Sequence, residues 1–412
     1  MIQRNIEHKL REALADRPVV LLNGARQTGK STLAQWLSQK GHPSRYITLD
    51  DATMLASARN DPSGFLSGLE GPVILDEVQL APGLFRAIKL EVDRNRTPGR
   101  FLLTGSANVL LLPQLSESLA GRMEIHTLWP FSMGELHNRR EHFIETLFSK
   151  GTLPQVRRTC SRRELFAKVQ TGGFPEVTGN RDAQRRAAWL GSYITTILQR
   201  DVRELSNIEH LTAMPRLLSL LALRSMTAVN YSEISRTLGL AQNTLKRYLT
   251  LLETAFLIQT LPPWSENLGK RLVKASKIVL TDTGLASYLI GASQEDLAPE
   301  HPMTGPLLEN FVAMELFKQA TWSKTMVRLY HFRTQNGQEV DILMEDAAGH
   351  VAGVEVKSAA AVSPNDFRHL RYLAEILGDR FVRGVVLYTG EEAVPFAPKF
   401  CALPVTALWD MA

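Results

Sequence analysis

The 412-residue sequence predicts an α/β protein. It begins with a parallel sheet of about five strands between helices, continues through a helical middle, and ends in a second, small α/β domain. Three observations carry this reading. RPVVLLNGARQTGKSTLAQWL runs from an apolar strand through a glycine-containing turn into an amphipathic helix. GPVILDEVQ and RFLLTGSAN follow as further apolar runs ending in polar residues. Far downstream, EVDILMEDAAGHVAGVEVKS places two apolar strands around a glycine turn.

A chain of this length holds two to four domains. The expected segments are 1–145 (first sheet domain), 146–205 (helical), 206–268 (two helices and a strand) and 269–412 (second sheet domain). Hydrophobic content of 44% and charged content of 22% are those of an ordinary globular protein. The two cysteines, Cys160 and Cys401, stand far apart and in no metal-ligand spacing, which excludes a disulfide framework and points to a reducing compartment. The opening MIQRNIEHKL has no signal-peptide stretch, and Arg224 interrupts the apolar LLSLLALRSMTAV well short of the ~18 to 20 residues of a membrane helix. The expectation is a cytoplasmic protein without a membrane partner. Residues 150–274 carry 19 Lys and Arg against 9 Asp and Glu. Such a basic middle suits nucleic acid, and equally suits a solubilised helical surface.

Within the first segment, GARQTGKS matches the phosphate-binding loop G-x-x-x-x-G-K-[ST]. The expected nucleotide contacts are Gly24, Ala25, Arg26, Gln27, Thr28, Gly29, Lys30, Ser31 and Thr32. The glycines let backbone N–H groups close on phosphate at a helix N-terminus. Lys30 neutralises the β- and γ-phosphates, and Ser31 ligates Mg²⁺, so ATP and Mg²⁺ are the expected cofactors. In GPVILDEVQ, Asp76 is placed to hold that metal through water and Glu77 to activate or orient the attacking water. A base next to the metal ligand also argues against a small-molecule kinase, in which it would waste ATP. Thr104, Ser106 and Asn108, at the end of a third strand, are candidates for sensing the γ-phosphate. Arg122 is the candidate arginine for the transferred phosphoryl group, within the chain or across a subunit interface, with Arg26 as the weaker alternative.

In the middle, NYSEISRTLGLAQNTLKRYLTLLETAFLIQTLPPW reads as a short helix, a turn at Gly239, a longer helix and a strand. That is the layout of a helix-turn-helix with a wing. Asn243, Thr244, Lys246 and Arg247 open the second helix, where base or phosphate contacts would be made. Winged helices of this kind also serve as lids or protein-binding surfaces.

Near the C-terminus, alternation puts Glu355 and Lys357 on one face of a strand, and Asp341 lies on the strand before. Asp and Glu to hold a divalent metal, with Lys beside the nucleophile, is the set used by PD-(D/E)xK endonucleases. An E-x-K triplet alone is common; its setting between apolar strands, with the helix PNDFRHLRYLAEIL following, gives it weight. GPLLENFVAMELFKQ offers Glu309 as a further acid. The motif's leading Pro is replaced by Val340.

Taken together, GARQTGKSTL, LDEVQLAP, LLTGSAN, LAGRMEIHTLWPFSMGEL, GGFPEV, KIVLTDTGL, LLENFVAMEL and EVDIL with GVEVK resemble a family of prokaryotic AAA-type ATPases with a C-terminal domain of unknown function. The resemblance implies an ATP-binding P-loop domain, a winged helix and a restriction-endonuclease-like domain, and it strengthens Arg122 and Glu309 as site residues. The function expected is Mg²⁺-dependent ATP binding and hydrolysis coupled to action on DNA. The alternative is an ATP-driven switch whose nuclease-like domain only binds nucleic acid or protein. A homo-oligomer is compatible with either.

Overall fold

The computed structural model describes residues 2–106, 119–154, 156–202, 212–266, 275–292 and 301–411. The chain folds as two compact units. One comprises Met1–Phe131 with Thr250–Phe256, and the other Ser132–Leu249 with Leu257–Ala412. The expected segments 146–205, 206–268 and 269–412 thus lie in the second unit, apart from Thr250–Phe256.

In the first unit, helix α1 (Glu7–Asp16) precedes β1 (Val19–Asn23), α2 (Lys30–Trp36), β2 (Arg45–Thr48), α3 (Ala52–Asn60), α4 (Pro62–Ser67), β3 (Val73–Asp76), α5 (Gly83–Arg94), β4 (Phe101–Gly105) and β5 (Met123–Thr127). The strands form one sheet in the order β2-β3-β4-β1-β5, every pair parallel. Burial follows position in the sheet. Every residue of β1, β3 and β4 is buried, as a central strand covered on both faces requires, whereas the edge strands β2 and β5 are partly exposed. Val19, Leu21, Val73, Leu75, Phe101 and Leu103 pack on one face against Leu84, Phe85 and Ile88 of α5. The expected five-stranded parallel sheet is what forms. The carboxyl ends of β1, β3 and β4 share one edge of the sheet.

In the second unit a helical stretch includes α6 (Met133–Leu136), α7 (Phe143–Phe148), α8 (Arg162–Thr171), α9 (Pro175–Thr178), α10 (Ala183–Thr196) and α11 (Ala213–Leu223). Then come α12 (Tyr231–Leu238) and α13 (Gln242–Thr254), the latter in this unit up to Leu249, followed by β6 (Ile258–Leu261) antiparallel to β7 (Lys277–Leu280). Asn230 caps α12 by accepting from the Glu233 N–H, and Gly239 ends it at φ +67°, a left-handed conformation that glycine adopts without penalty.

After α14 (Thr283–Leu289), the long helix α15 (Thr304–Ala320) leads into β8 (Val327–Arg333), β9 (Glu339–Asp346) and β10 (Val351–Lys357). These are followed by α16 (Arg368–Leu377), β11 (Phe381–Tyr388), β12 (Val394–Ala397) and β13 (Phe400–Pro404). The six strands form a mixed sheet ordered β12-β13-β11-β10-β9-β8. β8, β9 and β10 are successively antiparallel, while β10, β11 and β13 are parallel. Val340, Leu343, Val351 and Val386 meet Phe367, Leu370 and Leu373 beneath this sheet. No helix among the described residues is long and apolar enough to cross a membrane.

Candidate functional site

The loop between β1 and α2 is shaped by one close approach. A Cβ at Gly24 would stand 2.2 Å from the Leu128 carbonyl oxygen, and its φ of +145° is one that side chains rarely adopt. Gln27 takes φ +60°, a second left-handed turn within the same loop. The Thr28 hydroxyl, fully buried, donates to Ala25 O at 3.0 Å. Lys30 is buried and donates to Gly24 O at 3.0 Å and Ala25 O at 2.8 Å. Arg26 is half-buried, while Gln27 and Thr32 are exposed.

The Ser31 hydroxyl donates to Asp76 Oδ1 at 3.0 Å, although 45 residues separate the two in sequence. Asp76, 3% exposed, also accepts from the Thr104 hydroxyl at Oδ1 and from the Tyr46 phenol at Oδ2, the latter at 2.7 Å. Burial, then the bond to Asp76, raises the Tyr46 phenol above its ordinary value. Glu77 sits in the left-handed region at φ +58°, a cost that persists only where neighbours enforce it. Here its N–H donates to Thr104 Oγ1 at 3.2 Å. Its Oε2 accepts from Gln79 Nε2 and, at 3.3 Å, from the Ser106 hydroxyl, and Gln79 Nε2 also donates to Ser106 Oγ at 3.0 Å. Lys30, Ser31, Asp76, Glu77, Thr104 and Ser106 therefore line one edge of the sheet. Asn108 lies outside the described residues.

Three contributors were not singled out from the sequence. Tyr46 and Gln79 hold the two carboxylates, and Arg4 braces the loop from behind. Arg4 is buried, donates to Thr28 O at 2.7 Å and Trp129 O at 2.6 Å, and lies 4.6 Å over the Phe131 ring. Gln79 lay in plain view two residues after Glu77; nothing local marks Arg4.

Arg122 lies elsewhere. β5 pairs with β1 in the register Val19↔Met123 to Asn23↔Thr127, so Arg122 precedes β5 at the end opposite the loop. The strand alone spans about 13 Å. Its guanidinium instead donates to Asp93 Oδ1 at 2.5 Å and Ala120 O at 3.1 Å. The option that Arg122 serves the nucleotide of its own chain is corrected by this placement.

A second cluster forms in the mixed sheet. Asp341 and Glu355 lie one step beyond the last paired residues, Ile342 opposite Val354. Asp341 Oδ2 accepts the Val356 N–H at 2.9 Å. Lys357 Nζ and His369 Nδ1 each stand 4.0 Å from the Glu355 carboxylate. Glu309, on α15, feels the charge of Asp341; burial first and that charge second raise both Glu309 and Glu355 above the usual carboxylate range. Among these acids lies Lys277, 1% exposed, its Nζ 2.7 Å from Glu339 Oε1 and 3.9 Å from Asp341 Oδ1. The expectation that Glu309, Asp341 and Glu355 would hold a divalent metal therefore meets a protein cation. Among the described residues no three His, Cys, Asp or Glu side chains are arranged to hold a metal ion. As arranged, with the Lys277 ammonium among the acids, the residues do not fit a metal.

Residues 16–137 match an AAA domain, 162–296 a domain of unknown function (DUF8612), and 304–408 a domain of unknown function (DUF4143). With the parallel sheet and its loop, the first match makes residues 16–137 a P-loop domain of the AAA type. The chain belongs to the same family as Uncharacterized protein Mb2031c of Mycobacterium bovis and Uncharacterized protein Rv2008c of Mycobacterium tuberculosis. Each is 32% identical over 404 residues, spanning 98% of this chain and 83% of the relative. Among solved structures, the Walker-type ATPase paby2304 of Pyrococcus abyssi is similar over 70% of this chain and 96% of its own, at 17% identity and a TM-score of 0.42.

Proposed function

We propose that this chain hydrolyses ATP with Mg²⁺ at the β1–α2 loop and uses the cycle to change its engagement with DNA. The observation that carries the first part is the Ser31–Asp76 hydrogen bond of 3.0 Å. It brings together a hydroxyl for direct ligation and a buried carboxylate for ligation through water, the donor set that suits Mg²⁺ on a nucleotide. Mg²⁺ bound there supplies positive charge to the β- and γ-phosphates. Lys30, now on the loop's own carbonyls, turns its ammonium to the same phosphates, and the loop N–H groups orient them. Glu77, fixed by Gln79 and Ser106, takes the proton of the attacking water. Thr104 holds Asp76 and Glu77 in mutual register and places a hydroxyl beside the γ-phosphate. Arg122, at the far end of β5, reaches only the nucleotide of another chain in a homo-oligomer.

The DNA part rests on α12, α13 and the β6–β7 hairpin, which have the order of a winged helix. Asn243, Lys246 and Arg247 are exposed at the start of α13, Thr244 is half-buried, and Lys246 stands 5.6 Å over the Tyr231 ring. Duplex binding, followed by fluorescence anisotropy with ADP and with a non-hydrolysable ATP analogue, tests this. The affinity should differ between the two nucleotides. Lys246→Ala with Arg247→Ala should weaken binding to all sequences and lower the salt slope by ~2. Equal affinity in both nucleotide states, or an unchanged salt slope, would remove DNA from the account.

A second reading concerns the C-terminal sheet. The order α15, three antiparallel strands, α16 and a parallel strand, with Asp341, Glu355 and Lys357 at one locus, favours an endonuclease-like domain. The ion pairs around its acids favour binding over cutting. Incubation of linear, supercoiled and single-stranded DNA with Mg²⁺ or Mn²⁺ should leave it intact; cleavage lost in both Asp341→Ala and Lys357→Ala would reverse that choice.

A further inference from the structure

Glu339, Asp341 and Glu355 of the C-terminal cluster each have a lysine ammonium within about 4.0 Å. Glu339 lies between Lys277 at 2.7 Å and Arg333 at 3.6 Å. Asp341 spends Oδ2 on the Val356 N–H and faces Lys277 with Oδ1 at 3.9 Å. Glu355 lies between Lys357 and His369, each 4.0 Å away. Lys277 differs from the other cations in two respects. Its side chain is 2% exposed, against 38% for Lys357 and 56% for Arg333. It also comes from β7, in the two-stranded sheet, whereas the acids of the strands belong to the six-stranded sheet.

Burying an ammonium is costly unless it is paired and hydrogen-bonded. An isolated lysine opening an apolar strand would carry that cost with no return. The acids carry the reciprocal cost, because like carboxylates crowded at one locus need a positive charge among them. A divalent ion is the usual answer to that need, and here the ammonium is already in place.

We infer that Lys277 is a built-in cation that takes the electrostatic place of a divalent metal among Glu309, Glu339, Asp341 and Glu355, so that this cluster excludes metal as long as β7 keeps the side chain there. The charge balance is simple. One ammonium removed leaves the acids with an uncompensated negative charge, which a divalent cation can then neutralise. The inference rests on the endonuclease-like reading of the domain for the kind of ion concerned.

The test is direct Mn²⁺ binding by the nucleotide-free full chain, followed by electron paramagnetic resonance, which does not depend on catalysis. Wild type is compared with Asp341→Asn, Lys277→Met, Lys277→Gln and Lys277→Met combined with Asp341→Asn. A cooperative thermal transition in each variant establishes folding, and Gln supplies a second, hydrogen-bonding substitution should Met fail to fold. Wild type should show no Mn²⁺ site that Asp341→Asn removes. The folded Lys277 variants should gain one such site, binding Mn²⁺ at least about tenfold more tightly than the variant that also carries Asp341→Asn, since a like charge has been removed from beside a retained carboxylate. An Asp341-dependent Mn²⁺ site in wild type would overturn the role of Lys277 while leaving the endonuclease-like reading intact. Folded Lys277 variants that gain no site would overturn both.

Discussion

The Tyr46 phenol donates to Asp76 Oδ2 at 2.7 Å, while Ser31 donates to Oδ1 of the same carboxylate at 3.0 Å. A metal-holding carboxylate that is free to rotate would lose the orientation Mg²⁺ coordination demands, and the phenol removes that freedom from the outer side. Tyr46→Phe should therefore leave nucleotide binding intact and raise the Mg²⁺ concentration for half-maximal hydrolysis. It should also lower stability by ~1 to 3 kcal/mol, the range for a lost hydrogen bond to a charged group. Hydrolysis titrated against Mg²⁺, with urea unfolding alongside, measures both; an unchanged Mg²⁺ requirement would make Tyr46 a packing residue only.

The loop, its lysine and the two strand-end acids were legible because each uses a short local pattern: glycines at fixed spacing, then carboxylates ending an apolar run. The three central strands β1, β3 and β4 were legible for a related reason, since strands buried on both faces read as unbroken apolar runs. What could not be read were partners joined only by folding. Arg4 reaches Thr28 and Trp129 across 24 and 125 residues. Lys277 opens KIVL, and nothing in four residues says that its ammonium ends 3.9 Å from an acid 64 positions later. For Arg122 the sequence left two options open, its own nucleotide or that of another subunit, and strand direction bears on the choice by carrying it to the other end of the sheet.

Arg122 accordingly carries a prediction with a concentration dependence. In dilute solution, where chains are separate, Arg122→Ala should hydrolyse ATP within about twofold of wild type, because only the partly exposed pair with Asp93 and the bond to Ala120 O are lost. Hydrolysis and sedimentation measured over one concentration series decide this. A large loss in separate chains would place Arg122 at its own nucleotide after all.

Glu141 supplies a pH dependence. It is 1% exposed and accepts the Gly134 N–H at 2.8 Å, and burial, then the charge of Glu315, pushes it up from 4.5 to about 8. Between those two values the folded chain holds a proton that the unfolded chain has released. Its contribution is present in full below about pH 4.5 and is lost as the pH rises to about 8. Glu141→Gln keeps the acceptor oxygen and has no proton to lose. Urea midpoints at pH 5 and pH 8 should therefore fall more for wild type than for Glu141→Gln. Equal falls would mean that Glu141 is ionised in the folded chain.

The central claim is Mg²⁺-dependent ATP hydrolysis with Glu77 as the base, and its most direct test is steady-state turnover by wild type, Glu77→Gln and Lys30→Ala in Mg²⁺ and in chelator. Turnover in wild type should require Mg²⁺. Glu77→Gln should bind nucleotide and turn over ~10²- to 10⁴-fold more slowly, the usual worth of a positioned base. Lys30→Ala should lose affinity for the nucleotide itself. Unchanged turnover in Glu77→Gln, or unaltered nucleotide affinity in Lys30→Ala, would contradict the assignment of this site.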